Sequence, residues 1–175
     1  GVGAIIVQPL TTGLDQDTTA GYEVSIDGSA PIHVPFAGIT VENIPVGTHS
    51  VTLSGLGLNC LTQQPTMTAV VAYGTYALVK HTVQCTPRVG WVQVSVTTSG
   101  TDLDADGYFV EVPNYTGANL TTNGTITLPG IREGDRTVIL RGVSTNCTVT
   151  GGSTRIVTVV YGATTPLASA FSIDP

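Results

Sequence analysis

The sequence predicts an all-β protein built as two tandem β-sandwich domains, and three observations predict it. The chain repeats itself about 87 residues on, its apolar residues alternate with polar ones in short runs, and helix-favouring windows are missing. Glycine, threonine and valine dominate, and no stretch is rich in the alanine, leucine, glutamate and lysine that lose least on entering a helix. With 41% hydrophobic and 10% charged residues, the composition is that of a folded chain.

The repeat sets the domain count. Gly3 recurs as Gly90, and Thr11-Thr12-Gly13 as Thr98-Ser99-Gly100. Asp15 and Asp17 fall on Asp102 and Asp104, and Gly21-Tyr22 on Gly107-Tyr108. The run from Ile44 to Gly55 faces the run from Ile131 to Gly142, Asn59-Cys60 faces Asn146-Cys147, and Tyr73-Gly74 faces Tyr161-Gly162. The expected domains are therefore residues 1–86 and 87–175, with Thr86-Pro87-Arg88-Val89 as the linker.

Taken in chain order, each copy opens on a strand. In the second copy Val92, Val94 and Val96 alternate with Gln93 and Ser95, the pattern of a strand with one packed and one wet face. The first copy opens instead on Ala4-Ile5-Ile6-Val7, where Ile6 replaces Gln93 and both faces are apolar. Such a strand needs cover on its second side, so Ala4 to Val7 is the candidate assembly strand, covered by edge pairing or strand donation from another subunit. Glycine, proline, asparagine and aspartate then break the chain every 8 to 12 residues or so, as in a sandwich or barrel. Val138 and Leu140 alternate with Thr137, Ile139 and Arg141 in a later strand. About 85 residues per copy suffice for a seven-stranded sandwich whose small core gains from a covalent staple.

The segment Ile44-Pro45-Val46-Gly47-Thr48-His49-Ser50-Val51-Thr52-Leu53 resembles the glycine-then-strand signature of bacterial PEGA-type and carboxypeptidase-regulatory-like domains. The loop from Thr98 to Tyr108 is similar to the first inter-strand loop of secreted bacterial repeats. The resemblance implies a transthyretin-like (prealbumin-like) sandwich in an extracellular or cell-surface protein. Hydrophobic alternation alone is the same for an immunoglobulin-like and a transthyretin-like order, so both stay open.

Three cysteines are present, and Cys60 with Cys85 is the expected disulfide of the first copy, given a composition suited to an oxidising compartment. Cys147 stands at the position of Cys60, but Pro175 stands where Cys85 would be. Cys147 is then either a free thiol packed as a small apolar side chain or half of an intermolecular disulfide. Four Asn-x-Ser/Thr sequons begin at Asn114, Asn119, Asn123 and Asn146, marking either covalent glycans or the chance yield of an Asn- and Thr-rich sequence.

Asp102, Asp104 and Asp106 alternate ahead of Gly107 like the first half of a calcium loop. The twelfth position is Pro113 rather than glutamate, so an aspartate-rich turn is the reading set against a structural cation. His33, His49 and His81 form no zinc or catalytic spacing, and no nucleophile elbow, phosphate loop or dinucleotide fingerprint occurs. No cofactor and no enzymatic activity are expected. Trp91 is the one tryptophan, a weak advertisement for a sugar site. A net charge of −6 with 6 Lys+Arg gives nucleic acid nothing to hold, and no apolar run reaches the roughly 20 residues of a spanning helix. The chain opens at Gly1 with no basic-then-apolar leader, which reads as the mature end of an exported protein.

These features point to a structural subunit of an extracellular fibre, joined to copies of itself head to tail. The alternative is an adhesin-like or carbohydrate-binding stalk module. Aromatic and amide side chains converging on a pocket would favour the second.

Overall fold

Residues 1–174 are described by a computed structural model, in which every regular element is a strand. Two units emerge, Gly1–Pro87 and Arg88–Pro175. In the first unit the strands are β1 (Val2–Gly13), β2 (Tyr22–Ile26), β3 (Ile32–Val34), β4 (Ile39–Pro45), β5 (Gly47–Ser54), β6 (Cys60–Leu61), β7 (Thr66–Val71) and β8 (Tyr76–Cys85). They form two sheets, ordered β4-β1-β8-β6 and β3-β2-β5-β7. The unit has eight strands rather than seven, because the chain adds the two-residue β6 beside β8. The first strand pairs with the fourth and the last, never with the second, which is not the immunoglobulin order.

The second unit has β9 (Val89–Thr98), β10 (Tyr108–Val112), β11 (Thr116–Leu120), β12 (Gly124–Arg132), β13 (Gly134–Arg141), β14 (Thr148–Val149), β15 (Thr154–Val159), β16 (Thr164–Pro166) and β17 (Phe171–Asp174). Its sheets are β11-β10-β13-β15 and β12-β9-β17-β14, with β16 also pairing β9. Pro175 and its relation to Cys147 lie outside the described residues.

Period-two alternation translates directly into the cores. Ile5, Val7, Val24, Val34, Val51, Leu53, Val79 and Val83 meet between the sheets of the first unit, and Val92, Val94, Val96, Val110, Val138, Leu140, Phe171 and Ile173 between those of the second. The repeated glycine near the start of each copy has a steric cause. A Cβ on Gly3 would lie 2.6 Å from the carbonyl oxygens of Ala72 and Thr75, and one on Gly90 would lie 2.3 Å from that of Val160. The first strand thus presses against the turn before the last, where Ala4 N–H donates to Thr75 O and Trp91 N–H to Ala163 O. A second repeated pair, Thr11 with Tyr22 and Thr98 with Tyr108, joins hydroxyls at 2.5 and 2.8 Å.

The topology corrects one expectation. Residues Ala4, Ile5, Ile6 and Val7 have no free edge, because β1 lies inside its sheet, antiparallel to β4 and parallel to β8 over ten residue pairs from Ala4↔Tyr76 to Gly13↔Cys85. Ile5 and Val7 face the core, and Ile6 is half-buried on the outer face with Leu78 as its β8 neighbour. The second apolar side of β1 is a stripe across the sheet rather than an unpaired edge.

Candidate functional site: the open edge of β8

Strand β8 alternates cleanly: Val79, His81 and Val83 are buried, whereas Lys80, Thr82 and Gln84 are exposed. The inward histidine departs from the apolar pattern and decides the local structure. His81 is fully buried, and its Nδ1 donates to the carbonyl oxygen of Gln64 at 3.2 Å. Nε2 has no hydrogen-bond partner, and neither does the buried Oγ1 of Thr62. Burial pushes the His81 pKa down, with the bond to the Gln64 carbonyl opposing it, so the ring sits neutral with its proton on Nδ1.

The 62–65 segment leaves the sheet here, its Gln64 carbonyl held by His81 and its Pro65 carbonyl accepting from Leu53 N–H at 2.8 Å. The counterpart of His81 in the second unit is Phe171, an apolar ring that asks for no carbonyl. There the ladder runs on past Thr148↔Asp174 and Val149↔Ile173, and Thr150 N–H donates to Ser172 O at 2.9 Å. In the first unit β6 pairs only Cys60↔Cys85 and Leu61↔Gln84. Beyond that point lies a cavity of about 310 Å³ between the 61–64 segment, Met67 and the outward side chains Lys80, Thr82 and Gln84. Its lining is amide and hydroxyl groups with one cation over an apolar floor of Leu61 and Met67.

The other residues marked in the sequence are scattered. Cys60 and Cys85 form a disulfide across the β6/β8 pair. Cys147 is a free, half-buried thiol whose Sγ donates to Asn146 Oδ1 at 3.7 Å. Burial, then the carboxylates of Asp104 and Asp102, push its pKa up, which keeps it protonated and a poor nucleophile. Asn114 and Asn119 are exposed on the β10–β11 hairpin, whereas Asn123 accepts from Thr98 N–H at 2.7 Å and Asn146 donates to Asp102.

Asp102, Asp104 and Asp106 do not assemble a cation site: among the described residues no group of three His, Cys, Asp or Glu side chains can hold a metal. Asp104 is instead turned inward, where its Oδ2 accepts from Ser144 N–H at 2.8 Å. The neighbouring carboxyls push each other's pKa apart, that of Asp104 downward, helped by the Ser144 N–H, and that of Asp106 upward. Trp91, 38% exposed, belongs to β9 and lies apart from the cavity beside β8.

His49 also has a defined place that its spacing did not disclose. Its Nδ1 meets Asp27 Oδ2 at 2.6 Å, and its Nε2 meets the Pro45 carbonyl at 2.8 Å. Two acceptors on one ring favour the doubly protonated form, and the Asp27 bond, then that to Pro45, raises the His49 pKa. In the second unit Arg136 takes this role, donating from Nε to Arg132 O at 3.0 Å and from its terminal nitrogens to Glu133 O and Asp135 O.

No protein-family model matches the chain, and no curated protein matches it. Among solved structures it is similar to the Bacillus anthracis TIE protein at 14% identity, covering 98% of this chain and 34% of that one with a TM-score of 0.56. It also aligns with GBS52, the minor pilin of Streptococcus agalactiae (11% identity, 98% and 96% covered, TM-score 0.40). The shaft pilin SpaA of Lactobacillus rhamnosus GG gives 8% identity, 100% and 98% covered, and a TM-score of 0.40. At these identities the likeness to the TIE protein is one of fold, and the chain spans about a third of that protein's length.

Proposed function

We propose that this chain is a non-catalytic structural segment of an extracellular or cell-surface assembly, joined to further copies by pairing of sheet edges. The observation that carries the reading is the chemistry of one edge strand. Soluble sandwiches blunt their edges with charge, proline or bulges. Of the edge strands with six or more residues, β4 carries Glu42, Pro45 and a register shift, β12 carries Pro129, Arg132 and a register shift, and β15 carries Arg155, whose guanidinium is turned back onto the carbonyls of Thr150, Gly151, Gly152 and Thr154. Strand β7, Thr66-Met67-Thr68-Ala69-Val70-Val71, has none of these, and its Val70 is 71% exposed.

The equivalent edge of the second unit, β15, presents Ile156 at the same 71% exposure. A β7 edge seated on β15 of the next copy is a heterologous contact, and repeated without closing into a ring it makes a filament. The Cys60–Cys85 bridge suits the oxidising compartment this role requires. The ion pairs of Arg88 with Glu133 and Arg141 with Glu111 are spent on the fold.

Negative-stain microscopy and light scattering of the native protein across a concentration series test the proposal. Filaments that shorten or vanish in Val70→Lys and Ile156→Lys are expected. A monodisperse monomer at every concentration refutes assembly by edge pairing, and a species that stops at the dimer refutes the open contact in favour of β7 pairing with itself. The second reading, a binding module, draws on the cavity beside β8, whose lining has the expected amide groups but no aromatic side chain.

A further inference from the structure

We infer that the uncovered edge of β8 and the cavity next to it form a receptor site for an extended peptide segment bearing an acidic side chain. The inference goes beyond the assembly reading and does not depend on it, since the backbone groups it uses are those of β8, in the sheet opposite β7, and only Met67 of β7 reaches the cavity.

Thr86 N–H donates towards Asn59 on the β6 side, and Cys85 O accepts from Leu14 on the β1 side. Alternation along an extended strand then turns the N–H and C=O of Leu78, Lys80 and Thr82 towards the β6 side. Only Gln84 and Cys85 have β6 beside them, so these three residues meet no strand partner among the described residues. Unpaired donors and acceptors at every second residue are matched by one kind of ligand, an extended main chain. The second unit supplies the template, because there its own Thr150 N–H occupies the place, donating to Ser172 O. The first unit leaves that place vacant because His81 holds the Gln64 carbonyl elsewhere.

Side chains set the rest of the chemistry. Lys80, the one lysine in the chain, projects beside the cavity with Thr82 and Gln84, and has no carboxylate within salt-bridge distance among the described residues. Gln63 and Gln64 face them across the opening. A carboxylate on the incoming strand finds one cation and several neutral donors, while Leu61 and Met67 take an apolar neighbour. Eight uncovered residues, Tyr76 to Val83, span roughly 26 Å and accommodate a hexapeptide.

The test is a titration of the ¹⁵N-labelled full chain with two acetylated, amidated hexapeptides, TVEVTV and TVKVTV, followed by amide shifts at low ionic strength. Saturable shifts at Leu78, Lys80 and Thr82 with TVEVTV, and binding of TVKVTV weaker by roughly fivefold, are expected. Lys80→Glu should reverse that order. His81→Phe, copying the second unit, frees the 62–65 segment to pair with β8 and should abolish binding while the spectrum stays dispersed. The absence of saturable shifts in the wild-type chain, or shifts confined to Thr66–Val71, would overturn the site. Equal affinity for the two peptides would overturn the acidic requirement. Undiminished binding by His81→Phe would overturn the role of the histidine; should that variant not fold, Lys80→Glu at the exposed position still decides.

Discussion

Replacing both Cys60 and Cys85 with alanine removes the one covalent staple of the first unit, and the cost follows from the loop it closes. The two residues are 25 apart in sequence. In the chain-entropy treatment a closed loop of that length lowers the entropy of the unfolded ensemble by about 12 cal/mol/K, or about 3.5 kcal/mol at 25 °C. Residue-resolved hydrogen exchange reads this directly, because buried amides of the first unit exchange only when it opens. Those of Val24, Val51 and Val79 should exchange about 300-fold faster in the double variant. Val110, Val138 and Val157, in a unit that has no disulfide among its described residues, serve as the internal control and should be unchanged. Acceleration below tenfold in the first unit would refute the loop-closure reasoning, and equal acceleration in the second would refute the confinement of the staple to one unit.

Three further outcomes are expected. The two buried histidines of the first unit impose opposite pH dependences: the raised pKa of His49 contributes stability that is full below 6.5 and lost as pH rises through the folded value, whereas the lowered pKa of His81 contributes stability that is full above 6.5 and shed as pH falls. Asp27, lowered chiefly by its bond to His49, adds a term lost only under acid, below its ordinary 3.8. Urea midpoints against pH should therefore peak near neutrality, and His49→Arg, which installs the permanent cation seen at Arg136, should flatten the alkaline limb; an unchanged limb would sink the assignment. Gly90→Ala, whose Cβ would collide with the Val160 carbonyl, should cost roughly 2 to 3 kcal/mol by denaturant titration, and a neutral result would show that the first strand can retreat. Asn123→Ala strips Thr98 N–H of its acceptor and should cost about 1 to 3 kcal/mol, against under about 0.5 for Asn114→Ala; equal effects would remove Asn123 from the architecture.

Much of the fold was legible because the repeat writes it twice. Gly3 with Gly90, Thr11 with Tyr22 and Thr98 with Tyr108 recur since each pair solves the same packing problem in both units. Inward valines announce themselves by period two. Strand neighbours do not: nothing in Ala4-Ile5-Ile6-Val7 says that β4 and β8 flank it, because pairing partners are chosen by residues far along the chain. The apolar Ile6 implied a second face covered by another subunit and is instead half-buried on the outer face of its own sheet beside Leu78.

The candidate site was hidden for a different reason. Its signals are a substitution between copies, His81 for Phe171, inside a run whose alternation is otherwise ordinary, and a segment between Cys60 and Thr66 one residue shorter than that between Cys147 and Thr154. The comparison that finds it is between the repeats, position by position, and its consequence depends on a loop carbonyl whose placement no local pattern encodes. The Asp102, Asp104 and Asp106 turn misleads in the opposite direction: alternate carboxylates in sequence need not converge in space, and here one is buried against Ser144 N–H.

The parallel ladder between β1 and β8 bears on what the first unit does under load. Parallel first and last strands put the chain's entry and exit at opposite ends of the sheet. A pull on the two ends therefore runs along the strands and across all ten residue pairs at once, shearing them together rather than peeling them one by one. Among the described residues of the second unit the same connection is divided between three pairs with β16 and three with β17. Stretched in series, the two units would yield in order, the second before the first, giving the chain a weak link that extends while the stapled unit holds.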